Sequence, residues 1–169
     1  MKLKIQAIFC IISLYIFIQC KDNKPNTAWD TYNGESFMID YPTNWDIDST
    51  GQFNVQAFTC LSPETGNAEE TLSFGIVMII DSTDLKTAID NFMGQWDANT
   101  SKALPTEIGN QQGMYVEANT EGIIFKNYFL KKDNILYYMF FAGHPQAVKL
   151  WGGNALKMVN SFRIINHAN

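Results

Sequence analysis

The sequence predicts an α+β fold, a central antiparallel sheet with helices on both faces forming an α/β/α sandwich. Three observations carry this. Two segments repeat apolar residues at the 3.6-residue period of a helix, and six shorter ones are rich in the β-branched and aromatic residues of strands. The last three strands are separated by turn residues, Asn119 to Gly122 and Lys131 to Asn134, which makes them a meander of antiparallel hairpins. Two strands carry apolar residues on both alternating sets, and such a strand must be covered on both faces. Two amphipathic helices are available as cover, each with one stripe to bury. The alternative is a two-layer α+β sheet whose second face is a ligand groove or a partner surface.

At the amino end, Lys2 and Lys4 precede an apolar run from Ile5 to Ile18, broken by Gln6 and Ser13 and followed by Gln19 and Cys20. This is the layout of an export signal. The run is shorter than the roughly 20 residues that span a bilayer, so a cleaved signal is expected in preference to a retained helix. Phe17, Ile18 and Gln19 lack the small residues of an ordinary secretory cleavage site. The segment Phe17 to Cys20 resembles the lipobox of bacterial lipoproteins, with Phe17 and Gln19 in place of the usual Leu and small residue, as in the looser lipoboxes of Bacteroidetes. The pair Lys21 and Asp22 is similar to the export signal of that group. The resemblance implies lipidation of Cys20, attachment to a membrane through that lipid, and delivery to the cell envelope at the outer membrane, on its periplasmic or surface face. Residues 1–19 are then the signal peptide, 20–26 a short linker and 27–169 a single globular domain. The alternative is an uncleaved anchor with a chance cysteine.

Removing residues 1–19 from the 169 leaves 150, a normal size for one domain with its own core. The signal takes two lysines with it, so the formal net charge of −5 becomes −7. Such a chain is not expected to bind nucleic acid, which requires Lys and Arg to neutralise phosphates. With 14% aromatic residues and 17% charged ones, it is expected to form a packed globule. Of three cysteines, Cys10 leaves with the signal and Cys20 carries lipid, so Cys60 has no intramolecular partner and is expected to be a small buried hydrophobe.

In chain order, strands are expected over Phe37–Tyr41, Gln52–Cys60 and Thr71–Ile80. A helix follows, with Leu85, Ala88, Ile89, Phe92, Met93 and Trp96 on one side, Ser82 or Thr83 as its cap and Asp84 in its first turn. The meander comprises Gly113–Asn119, Ile123–Lys131 and Ile135–Phe141. In the last of these, Ile135, Tyr137, Met139 and Phe141 face one way and Leu136, Tyr138 and Phe140 the other; Phe74–Ile80 is similar. A closing helix spans Pro145–Ser161, with Gly152 and Gly153 as a bend or interruption.

The run Phe37 to Trp45, a strand ending in Tyr41 and Pro42 before Thr43, Asn44 and Trp45, resembles the opening motif of PsbP-like domains. The closing stretch Val159 to Ile164 resembles their end, and the order of elements between matches over about residues 27–166. PsbP-like folds include a thylakoid-lumen photosystem II subunit, a Ran-binding nuclear import factor, secretion-system adaptor chaperones and small bacterial lipoproteins. These share an α/β/α sandwich and not an activity. Locally, Pro42 ends the strand, Asn44 suits a turn and Trp45 packs back on the core.

No catalytic, cofactor-binding or metal-ligating set is assigned. His144 and His167 are the only histidines, and His144 stands at the expected N-cap of the last helix without an oriented Ser or Cys partner. Paired Cys or His for zinc is absent, and Asp46, Asp48 and Gly51 make only a fragment of a calcium loop, more simply a turn. Glu64 to Glu70 reads as a solvated loop. The expected function is a non-enzymatic, membrane-tethered binding or adaptor module for a protein or small-ligand partner. Its contact surface is the exposed part of the sheet, or the loops near Asp40, Tyr41 and Trp45 and near Asn119 to Gly122, with His144 also a candidate. The alternatives are a small hydrolase using carboxylates or His144, and a small-ligand carrier whose groove is lined by Tyr128, Tyr137 and Tyr138.

Overall fold

The computed structural model describes residues 27–48, 58–94 and 99–165. Its strands are β1 (Trp29–Asn33), β2 (Phe37–Pro42), β3 (Asp46–Ile47), β4 (Phe58–Leu61), β5 (Ser73–Ile80), β6 (Asn99–Thr100), β7 (Leu104–Ile108), β8 (Gln111–Thr120), β9 (Ile123–Lys132), β10 (Ile135–Gly143) and β11 (Arg163–Ile164). The helices are α1 (Leu85–Met93) and α2 (Pro145–Ser161), with a single 3-10 turn at Ala68–Glu70. The main sheet runs β3-β4-β5-β10-β9-β8, with β6 and β7 sharing the far edge of β8. A second sheet, β1-β2-β11, has three strands. The meander β8-β9-β10 is antiparallel as expected. Its turns use the residues the sequence offers: Glu121 and Gly122 adopt φ of 51° and 80°, the left-handed pair of a tight hairpin, and Asp133 adopts 54°.

The two-sided strand β10 separates two cores. Tyr137, Met139 and Phe141 join Phe74, Ile76, Tyr128 and Leu130 in a cluster with Ala147, Ala155, Met158 and Val159 of α2. Leu136 and Tyr138 join Val116, Ala118 and Phe129 in another, with Ala88, Ile89 and Met93 of α1. Register enforces the split, since Tyr137 lies opposite Leu130 and Met78 while Tyr138 lies opposite Phe129 and Val77. The first cluster has an addition that sequence reasoning did not supply. The small sheet contributes Phe37 and Ile39, so α2 shares the cover with strands. Neither β1 nor β11 was expected: Trp29–Asn33 lacks a clean alternation, and Arg163–Ile164 is two residues long.

Buried polar groups are paired where the strands pass between these cores. Asn127, fully buried, donates from Nδ2 to the Val116 carbonyl at 3.1 Å and accepts from the Tyr138 hydroxyl at 2.8 Å.

The start of α1 differs from expectation. Asp84 itself is the cap, its carboxylate accepting from the Thr87 amide at 3.0 Å. A carboxylate there can reach the third amide of the helix, which Ser82 and Thr83 are too far back to do. Trp96 lies outside the described residues, as does the expected strand before Phe58. Helix α2 has the bounds read from the sequence, and Gly152 and Gly153 do not interrupt it. A Cβ at Gly152 would lie 3.9 Å from the Phe141 ring and 3.5 Å from Val148, ordinary contact distances, so the packing of α2 on β10 does not itself require a glycine there. Trp151 ties the helix to the 3-10 turn, donating from Nε1 to the Glu70 carbonyl at 2.9 Å.

Candidate functional site: a concavity over Gly75

Both α1 and the cluster around it occupy the β8-β9-β10 side of their face of the sheet. Toward β3 that face carries a concavity of about 600 Å³. Its lining follows from register. Cys60 points into the α2-side core, so its neighbours Thr59 and Leu61 project the opposite way. Thr59 lies opposite Gly75 of β5, and Gly75 lies opposite Phe140 of β10. The absent side chain is what makes room. A Cβ at Gly75 would stand 2.6 Å from the Phe140 ring, which lies across the glycine. Val77 and Leu61 continue the apolar floor, and Leu61 is 44% exposed.

Asp46 of the edge strand β3 and Asp48 just beyond it line the same concavity, and no Lys, Arg or His does so among the described residues. An apolar floor with carboxylates at one border suits a ligand with an apolar body and a cationic group, and disfavours an anion. At the start of the calcium-loop fragment seen in the sequence, Asp46 and Ile47 are strand and pair with Leu61 and Cys60, while Gly51 lies outside the described residues.

The residues singled out from sequence are dispersed. The Asp40 carboxylate receives the Thr31 hydroxyl at 2.8 Å and the Arg163 guanidinium at 2.8 Å, fastening β1 and β11 to β2. The Tyr41 ring is tilted at 53° to that of Phe58 with centroids 6.0 Å apart, and its hydroxyl is raised above the ordinary phenol range by burial and by Asp30. Trp45 is 3% exposed and meets Trp151 edge-on at 6.3 Å, so it serves the core and not a contact surface. His144 occupies the N-cap position of α2 but its side chain makes no capping bond, and it does not line the concavity. Cys20 lies outside the described residues.

The tyrosine-lined groove is corrected by burial. Tyr128, Tyr137 and Tyr138 are 6%, 2% and 3% exposed and belong to the cores. Burial, aided by Glu117, pushes the Tyr128 hydroxyl up to about 12. Cys60 is fully buried and unpaired, and desolvation holds its thiol far above the ordinary value, as befits a packing residue. Gly75 was the signal available in the sequence, a glycine inside a strand otherwise apolar on both sides. Its meaning depended on the partner opposite.

No family model matches the sequence, and no curated protein does. Solved structures do. Cyanobacterial PsbP from Synechocystis superposes with a TM-score of 0.55 at 12% identity, over 85% of this chain and 96% of that one. The fold is PsbP-like. LpqN of Mycobacterium tuberculosis, described as involved in cell envelope biogenesis, gives 0.54 at 8% identity, over 92% of this chain and 97% of that one. A crystal structure from Bacteroides thetaiotaomicron gives 0.53 at 17% identity over 79% of this chain, which spans only 46% of that longer one. Identities this low carry the PsbP-like fold and no activity.

Proposed function

We propose that this PsbP-like chain is a membrane-tethered, non-enzymatic binding module of the cell envelope, held by lipid on Cys20 and binding a small apolar cation in the concavity over Gly75. The lining of that concavity carries the binding part of the reading: it is apolar over Gly75, Val77 and Phe140 and acidic at Asp46 and Asp48. Its size falls in the range of about 300–1,000 Å³ typical of ligand sites. The sequence from Lys2 to Asp22 supports the tether. His144 stands apart from the concavity, which speaks against the histidine-dependent hydrolase. The same reading takes the layers as an α/β/α sandwich, supported by the assignment of the two helices to different core clusters.

Two experiments test the two halves. Cys20→Ala in the full chain is expected to shift the protein from the membrane to the soluble fraction, or to leave an uncleaved precursor. A variant processed and anchored like the parent would remove the tether from the proposal. For the concavity, 1-naphthylmethylammonium is titrated against its neutral and anionic counterparts, 1-naphthylmethanol and 1-naphthoate. The cation should bind most tightly. Leu61→Lys, at a half-exposed position the fold tolerates, should weaken it roughly tenfold by placing like charge beside the site. Equal affinity for all three probes, or an unaffected Leu61→Lys variant, sinks the assignment.

A further inference from the structure

All 17 Asp and Glu residues of the sequence lie at or before Asp133. Residues 134–169 have none, and their cations are Lys149, Lys157 and Arg163. In a mature chain whose net charge is −7, this is a marked asymmetry, and α2 lies inside the acid-free stretch. At about 100° per residue, Lys149, Leu150, Gly153, Leu156, Lys157 and Asn160 fall within roughly 120° of arc, and each is exposed. Leu150 is 53% exposed and Leu156 44%. The helix thus turns a mixed cationic and apolar stripe outward, opposite the Ala147, Ala155, Met158 and Val159 that it buries.

The stripe stands where the chain enters the domain. The Lys157 ammonium lies 3.8 Å from the centroid of the Trp29 ring, the first residue of β1. The entry is fixed from Ala28, whose carbonyl accepts from the Thr43 amide at 2.9 Å. From Cys20 to Ala28 the chain can extend at most about 28 Å. A lipid on Cys20 therefore keeps this side of the domain near the headgroups.

We propose that the outer face of α2, with Trp29 beside it, docks on an anionic lipid surface and sets the orientation of the tethered domain. Lys149 and Lys157 meet the lipid phosphates, while Leu150 and Leu156 enter the boundary between headgroups and acyl chains. The concavity over Gly75 belongs to the other face of the main sheet, so this orientation leaves it accessible from the aqueous side. The inference rests on the tethered reading, but its test does not use the lipid.

The test employs the processed chain, residues 20–169, with Cys20→Ser so that no lipid is attached. Both core clusters, with the residues packed against them, come from residues 29–164, so this chain retains them. Co-sedimentation is measured with vesicles of phosphatidylcholine alone and of phosphatidylcholine with phosphatidylglycerol. Binding should be confined to the phosphatidylglycerol vesicles and fall as salt is raised. Lys149→Glu with Lys157→Glu should weaken it roughly tenfold or more. Leu150→Ser with Leu156→Ser should weaken it on the same vesicles, and both pairs, at exposed positions, should keep the parent's melting temperature. Absence of binding to either vesicle, equal binding to both, or indifference to the paired lysine reversal overturns the proposal. Whether Cys20 is processed and acylated reports on the tether, and vesicle binding by the unlipidated chain reports on the docking face, so the failure of each is read separately.

Discussion

Gly109→Ala will lower the stability of the domain by roughly 3–5 kcal/mol in urea unfolding, which makes it one of the most damaging single-methyl additions available. Gly109 turns the chain between β7 and β8 with φ of 49°. A Cβ there would stand 2.0 Å from the Phe162 carbonyl oxygen. Neither side can yield cheaply, because both are backbone. Phe162 ends α2, is 1% exposed, and its ring contacts Phe37 at 5.6 Å and Tyr137 at 5.4 Å, so displacing it disturbs the α2-side core. Gly122 provides the control. It also has positive φ, 80°, but an added Cβ there meets nothing within 4 Å. Gly122→Ala should cost only about 1 kcal/mol, the conformational part of the effect. Equal losses at the two sites would show that the close approach at Phe162 is not what demands glycine.

Phe129→Ala is expected to cost about 3–5 kcal/mol and to loosen α1 selectively. Phe129 is fully buried in the α1-side core, 5.8 Å from the Phe92 ring and 5.1 Å from that of Tyr138. Helix α1 is only nine residues long, too short to persist in water without tertiary packing. Limited proteolysis should therefore cut the variant within Leu85–Met93 before it cuts the sheet. Ile80→Ala, at the 90% exposed end of β5, should change stability by no more than about 0.5 kcal/mol. A variant of Phe129 that melts as the parent does, or is cut first in β9, would contradict the packing described for this face.

The meander and α2 were legible because their signals are local. The hairpin turns depend on the residues at Glu121, Gly122 and Asp133, and the bounds of α2 follow from Pro145 and the apolar stripe behind it. The two-sided character of β10 was legible in the same way, through alternation within a single segment. The small sheet was not. β11 is two residues paired with β2 across more than 120 positions of sequence, and Arg163 reveals its partner Asp40 only once they are adjacent. The role of Trp45 was half legible, since an aromatic after a Pro-containing turn packs on the core or lines a surface, and only burial decides between them.

By itself, then, the sequence determined the class of the fold, the turns of the meander, the limits of α2 and the uneven placement of charge, since each depends on residues within a few positions of one another or on composition alone. The concavity over Gly75 was decided by tertiary structure. Its glycine lies on β5, its covering ring on β10 and Asp46 on β3, and they line one concavity only because the register of β3, β4, β5 and β10 aligns them. A shift of one residue in any of those pairings would send the same side chains to the opposite face.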